Sequence, residues 1–177
     1  MARTQPPRDR AQRAAAMQRQ VGDAVLTRPS LAGVNEYSDL GRDHVPETVQ
    51  YEQNPPTGGD HNQPWWNCGI YADPIPAHHS VHSLEHGAVW LTYRPNLSED
   101  DRQKLLALAD PEFILLSPND TQTAPVIASA WGRQIELESA DDERLPLLVS
   151  EYRQGPQTPE PGAVCTGGTT TGLVATS

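Results

Sequence analysis

The sequence lacks most of the features that assign a function directly. It has two cysteines, Cys68 and Cys165, and neither sits in a CxxC pair or any zinc-finger spacing. Apolar runs are short. None approaches the ~18 residues of a membrane-crossing helix, so no such span is expected in this chain. Met17 is the only methionine besides Met1, which argues against thioether copper(I) chemistry. No G-x-S-x-G nucleophile elbow is present, and Gly167-Gly168-Thr169 lacks the lysine of a phosphate-binding loop. Basic residues are scarce after position 20. Residues 1–20 hold five arginines against Asp9 alone, a local +4, whereas the remainder holds 8 basic and 22 acidic residues, a net of −14. A body that acidic repels phosphate backbones and attracts cations, which excludes ordinary nucleic-acid binding by the core. There is no internal repeat and no recognisable export-leader pattern.

What is present suffices for one ordinary core: 177 residues, 36% hydrophobic, with mean hydropathy −0.60. Asp9 to Leu26 reads as a helix rich in Ala, Arg and Gln with a thin stripe of Met17, Val21 and Leu26, a solvated stalk outside the core. From Asn54 to Pro76 the chain is dense in Pro, Gly and Trp, which makes an ordered loop rather than a helix or strand. Regular structure then begins. Ala77 to His86 is predicted as a short helix stopped by Gly87, and Ala88 to Arg94 as a strand. Ser98 is a good N-cap for a helix over Glu99 to Ala109. Glu112 to Ser117 and Val126 to Glu138 follow as strands, the latter with a break at Gly132, and Asp141 or Asp142 caps a last helix to about Arg153. This order predicts an α+β fold: a small, mainly antiparallel sheet, helices packed on one face, and the long ordered Pro/Gly/Trp-rich loop. The expected layout is a basic stalk over 1–28, one α+β domain over 29–168 and a flexible tail over 169–177.

Histidine is where the sequence is unusual. Five of six histidines fall between positions 61 and 86, around the string Val81-His82-Ser83-Leu84-Glu85-His86-Gly87. On a helix His82 and His86 are one turn apart and share a face, the spacing by which two imidazoles meet one cation. The string HSLEH also fits H-x-x-E-H, in which the glutamate serves a metal-bound water. His61, after Gly58-Gly59-Asp60, offers a third imidazole from a glycine-hinged loop. His61, His82 and His86 are therefore the candidate metal ligands, and such a face suits copper or zinc. Asp60 and Glu85 are candidate partners that fix imidazole tautomers, with Glu85 also a candidate catalytic acid/base. Trp65, Trp66, Tyr51 and Tyr71 border the same loop and are candidate pocket walls. His78 and His79 read as solvent-facing, and His44 stands alone and reads as structural. A core histidine pair without metal is the alternative for His82 and His86. The cysteines, 97 positions apart, leave two readings open: a bond tying a C-terminal segment to the middle of the domain, or two unrelated thiols in a cytosolic protein.

These same residues carry a resemblance. The strings Tyr51…Asn54-Pro55-Pro56…Gly58-Gly59-Asp60-His61, Trp66-Asn67-Cys68-Gly69-Ile70-Tyr71 and Val81-His82-Ser83-Leu84-Glu85-His86-Gly87-Ala88-Val89 resemble the bacterial domain-of-unknown-function 3105 family. So do Tyr93-Arg94-Pro95, Leu115-Leu116-Ser117-Pro118, Ala130-Trp131-Gly132 and Gln154-Gly155-Pro156…Cys165-Thr166-Gly167-Gly168. The resemblance implies an envelope-associated protein, commonly with an N-terminal membrane anchor and the soluble domain outside, and so supports a Cys68–Cys165 bond. No such anchor is expected within these 177 residues, which leaves localisation open, and His78 and His79 are not part of the family's pattern. No reaction comes with the family. The expectation is an extracytoplasmic metal-binding protein holding copper or zinc on three histidines, with a metal ion and another envelope protein as partners. Two alternatives stand beside it. One is a metalloenzyme on the same site, oxidative with copper or hydrolytic with zinc; the other is a metal-free envelope interaction module.

Overall fold

Alternation of side chains decides how this chain folds, because its central strands are buried on both sides. A computed structural model describes residues 30–109 and 112–171. The helix expected over Asp9 to Leu26 lies outside the described residues. Six strands form one mixed sheet in the order β1-β6-β5-β3-β4-β2. These are β1 (Asn35–Glu36), β2 (Gly69–Ile70), β3 (Val89–Tyr93), β4 (Ile114–Pro118), β5 (Val126–Ala130) and β6 (Arg133–Leu137). The pairs β1·β6, β5·β6 and β3·β5 are antiparallel, whereas β3·β4 and β2·β4 are parallel. The sheet is thus mostly antiparallel and the fold is α+β. The segment expected as a strand from Val126 to Glu138 with a break at Gly132 is a hairpin of β5 and β6. It reverses at Trp131-Gly132, where Gly132 takes φ +65°, and a Cβ there would lie 2.8 Å from the Tyr37 carbonyl oxygen.

Three helices accompany the sheet: α1 (Ala77–Glu85), α2 (Glu99–Leu108) and α3 (Arg144–Tyr152). On one face Val89, Leu91, Ile114, Leu116, Val126, Ala128, Ile135 and Leu137 pack with Leu105 of α2 and with Leu145, Leu148 and Val149 of α3. As expected, Ser98 caps α2, its Oγ accepting from the Asp101 amide at 3.1 Å. The expected layer of helices on one face therefore holds for α2 and α3. α1 packs elsewhere. Its Val81 and Leu84 sit with Trp66, Tyr71, Trp90, Leu115 and Trp131, and with the two cysteines, on the opposite face. That face carries polar side chains from the same strands, Thr92, Ser117, Ser129 and Gln134, all buried. They are satisfied locally: Trp90 Nε1 donates to Ser117 Oγ at 3.0 Å, and Gln134 Nε2 donates to the Pro55 carbonyl at 2.8 Å. A sheet face lined this way takes the Pro/Gly/Trp-rich loop as its cover, with α1 held between loop and sheet.

The C-terminal segment closes this layer. Cys68 and Cys165 form a disulfide with Cα atoms 5.4 Å apart, and the Cys68 amide donates to the Cys165 carbonyl at 2.8 Å. Beyond it, Thr169 exchanges backbone hydrogen bonds with Trp65 and Asn67. The bond joins residues 97 apart, and the chain-entropy model gives a loop of that length about 4–5 kcal/mol. Reducing agent, or the Cys68→Ala/Cys165→Ala pair, is therefore expected to lower the unfolding free energy by up to that amount. Denaturant unfolding with and without reductant checks it, and an unmoved midpoint contradicts it.

Candidate metal centre

The centre starts from the way α1 ends. His86 is the C-cap, Gly87 follows at φ +99°, and the amides of Gly87 and Ala88 donate to the carbonyls of Leu84 at 2.9 Å and Ser83 at 3.0 Å. These two bonds are the Schellman pattern that a glycine at this position permits. With Val81 and Leu84 turned to the sheet, helical spacing turns His82, Glu85 and His86 toward the loop. Ser80 to His86 are all buried. The loop is tied to the same helix: Ser83 Oγ donates to the Trp66 carbonyl at 2.6 Å, and the Asn62 amide donates to the His78 carbonyl at 2.9 Å.

A second segment brings another imidazole. The His61 amide donates to the Asp43 carbonyl at 3.0 Å and the Val45 amide to the His61 carbonyl at 2.8 Å, so His44 lies alongside His61. The rings of His44, His61 and His82 have centroids 4.7–5.0 Å apart, and His82 and His86 are 4.4 Å apart. Two groups of ligand atoms result, with members within 4.8 Å of one another. One is His44, His61, His82 and Glu85; the other is His82, His86 and Glu160. The expected trio is thereby divided. His82 belongs to both groups, while His61 and His86 belong to different ones. His44 and Glu160 had no signal in the sequence, since they reach the site through a two-residue bridge and a proline-rich turn rather than a helical period. The remaining candidates sit around these groups. Trp65 lies 5.2 Å from the His86 ring and 5.9 Å from that of His82. Asp60 Oδ1 accepts from the Asp43 amide at 3.0 Å, which braces the His44 segment, and Tyr51 Oη donates to the Asp60 carbonyl at 2.8 Å. Burial first, then the Asp60 charge, raises the Tyr51 phenol far above its usual range, so it stays protonated. Trp66 and Tyr71 pack beside the disulfide. His78 and His79 lie in neither group, and His79 Nδ1 bonds the Pro64 carbonyl at 2.5 Å.

Each of three buried imidazoles has one nitrogen committed. Nδ1 of His61 bonds the Gly59 carbonyl at 2.8 Å, that of His82 the Asn62 carbonyl at 3.0 Å, and that of His86 the Val164 carbonyl at 2.7 Å. Because a carbonyl only accepts, Nδ1 carries the proton in each ring, and Nε2 of the neutral form is a bare lone pair. His61, with no exposed surface, holds Nε2 3.0 Å from Glu85 Oε2; with the ring proton on Nδ1 two acceptors face each other there, and this buried nitrogen has no hydrogen-bond partner. Glu85 also accepts from Arg42 Nε at 2.6 Å. Burial alone would raise its carboxyl, but the contacts with His61 and Arg42 and their charges outweigh burial, and it falls to about 2. His82 is held down to about 4. Burial is the largest cause, and with the neighbouring charges of His86, His61 and His44 it outweighs the Asn62 hydrogen bond. At neutral pH the site thus offers neutral imidazole from His82 and an ionised carboxylate from Glu85, the forms in which these groups ligate metals.

Fold and donors together define a small α+β protein with histidine/glutamate groups that can hold a metal ion. The chain belongs to the family described as Protein of unknown function (DUF3105), whose model matches residues 44–167 and so covers every residue of both groups. No curated protein and no solved structure matches it. The turn before His61 needs glycine, since Gly59 takes φ +116° and presents its carbonyl to the His61 ring. Gly59→Ala is expected to lower stability by about 1–3 kcal/mol through backbone strain. Thermal unfolding together with the His61 ring NMR shifts checks this. Unchanged values of both contradict the role given to the turn.

Proposed function

We propose that this protein binds one divalent transition-metal ion, copper(II) or zinc, in an extracytoplasmic compartment. The observation that carries the reading is the buried, unpartnered Nε2 of His61, facing His82 and Glu85 while the opposite nitrogen of its ring is fixed by a backbone carbonyl. Metal-ligating histidines are held in this way, with the second ring nitrogen donating to a carbonyl. Imidazole and carboxylate donors without sulfur suit zinc and copper(II), and copper(II) binds the more tightly of the two in the usual order of divalent ions. The acidic body, −14 beyond residue 20, favours cation capture. The disulfide is compatible with an oxidising compartment outside the cytoplasm. Among the described residues no helix is long and apolar enough to cross a membrane.

Binding is favoured over catalysis by the engagement of Glu85: its carboxylate accepts from Arg42 Nε at 2.6 Å and stands among the donor atoms of the His44, His61 and His82 group, which suits a ligand rather than a group free to move protons. Protein purified without an affinity tag is expected to take up one equivalent of copper(II) or zinc. Its melting temperature is expected to rise with metal, since an ion at 100 times its Kd adds about 2.7 kcal/mol. His61→Ala/His82→Ala is expected to lose at least about 100-fold in affinity together with that rise. Less than a tenth of an equivalent bound by the native protein, with no shift in melting, contradicts the proposal and leaves the metal-free interaction module in its place.

A further inference from the structure

We infer that the cluster contains two overlapping positions for the same ion, a first on His44, His61 and Glu85 and a second on His86 and Glu160, both completed by His82. The inference rests on the metal-binding reading and specifies how that site is built. His82 is the only residue common to the two donor groups. Its ring lies 4.4 Å from His86 on one side and 4.7 Å from both His61 and His44 on the other. Its Nδ1 is spent on the Asn62 carbonyl, so a single lone pair, on Nε2, serves both positions. One lone pair ligates one ion at a time. The two positions therefore exclude each other, and capacity is one ion per chain.

The second position has its own fixed donors. His86 Nδ1 is held by the Val164 carbonyl, one residue before the disulfide, which leaves His86 Nε2 free 3.5 Å from Glu160 Oε2. The Glu160 amide in turn donates to the Glu85 carbonyl at 3.1 Å, so the two carboxylate-bearing segments are tied together. Arg42 sits on both carboxylates, 2.6 Å from Glu85 and 3.9 Å from Glu160. A guanidinium that never loses its charge, paired with a carboxylate of each position, offsets negative charge at both and so opposes the loading of two dications together. Each position has one donor that water reaches, His44 in the first and Glu160, whose side chain is 43% exposed, in the second, while His61, His82, Glu85 and His86 are buried. An ion on either donor set can therefore exchange with solvent through that donor.

Copper(II) added to the full chain tests this by equilibrium dialysis and electron paramagnetic resonance. Saturation at one copper per chain, with two distinguishable signals below saturation, is expected. Glu160→Gln and His86→Ala should each leave one signal at unchanged stoichiometry, His61→Ala should leave the other, and His82→Ala should weaken binding at least about 100-fold. Glu160 is water-facing, so its variant gives the answer even where a buried substitution disturbs folding. A single signal in the native protein, two signals that Glu160→Gln fails to reduce to one, or two coppers per chain overturns the inference. Absence of copper uptake by the native protein overturns the metal reading on which it rests.

Discussion

A helix whose inward face carries two imidazoles and a carboxylate can be buried only if every polar atom on that face finds something to meet. This constraint organises the protein. The carbonyls of Asn62 and Val164 accept from His82 and His86, that of Gly59 from loop residue His61, and Arg42 donates to Glu85. Each partner comes from irregular backbone, Gly59 and Asn62 from the loop beside His61, and Arg42 and Val164 from the segments on either side. A regular strand or helix spends its carbonyls on its own ladder, whereas a proline- and glycine-rich loop has carbonyls to spare. The composition of the loop and the chemistry of the helix therefore answer each other. What the carbonyls leave free is one nitrogen per ring, and at His61 that nitrogen is buried without a hydrogen bond. A buried ring nitrogen without a hydrogen bond, beside an ionised carboxylate and the neutral ring of His82, is destabilising on its own and favourable once a cation is present.

The sheet divides its two faces between stability and site. One is apolar throughout and takes α2 and α3; the other mixes Trp90 and Leu115 with Thr92, Ser117, Ser129 and Gln134 and takes α1 and the loop. The disulfide belongs to the second face. By fixing Cys165 it fixes Val164 beside it, and through that carbonyl the orientation of His86. Stability and ligand geometry are coupled there in a way that the apolar face does not share.

Much of this arrangement can be read from periodicity. The four-residue step from His82 to His86, the stop at Gly87, the cap at Ser98 and the alternation of Ile135 and Leu137 with Glu136 are local statements, and local physics sets them. The loop before α1 is legible for a similar reason, since proline and glycine exclude regular structure whatever lies around them. Other features are not local. His44 reaches the cluster through a bridge to a residue 17 positions away, and Glu160 and Arg42 arrive from opposite ends of the domain. No spacing rule connects them. The packing of α1 on the second face also escapes the helix pattern, because Val81 and Leu84 face a layer of tryptophans and cysteines whose position depends on the loop. The division of His61 and His86 between two groups follows from where the glycine turn lands beside His82, a matter of tertiary geometry that residue types do not encode.

The most direct test of the account is crystallographic. Crystals of tag-free protein grown with zinc and measured at the zinc absorption edge locate the ion without assumption about its ligands. The account predicts an anomalous peak about 2.0–2.1 Å from His82 Nε2, the length of a zinc–imidazole bond. A peak remote from His82, or none at all in crystals containing the metal, contradicts it.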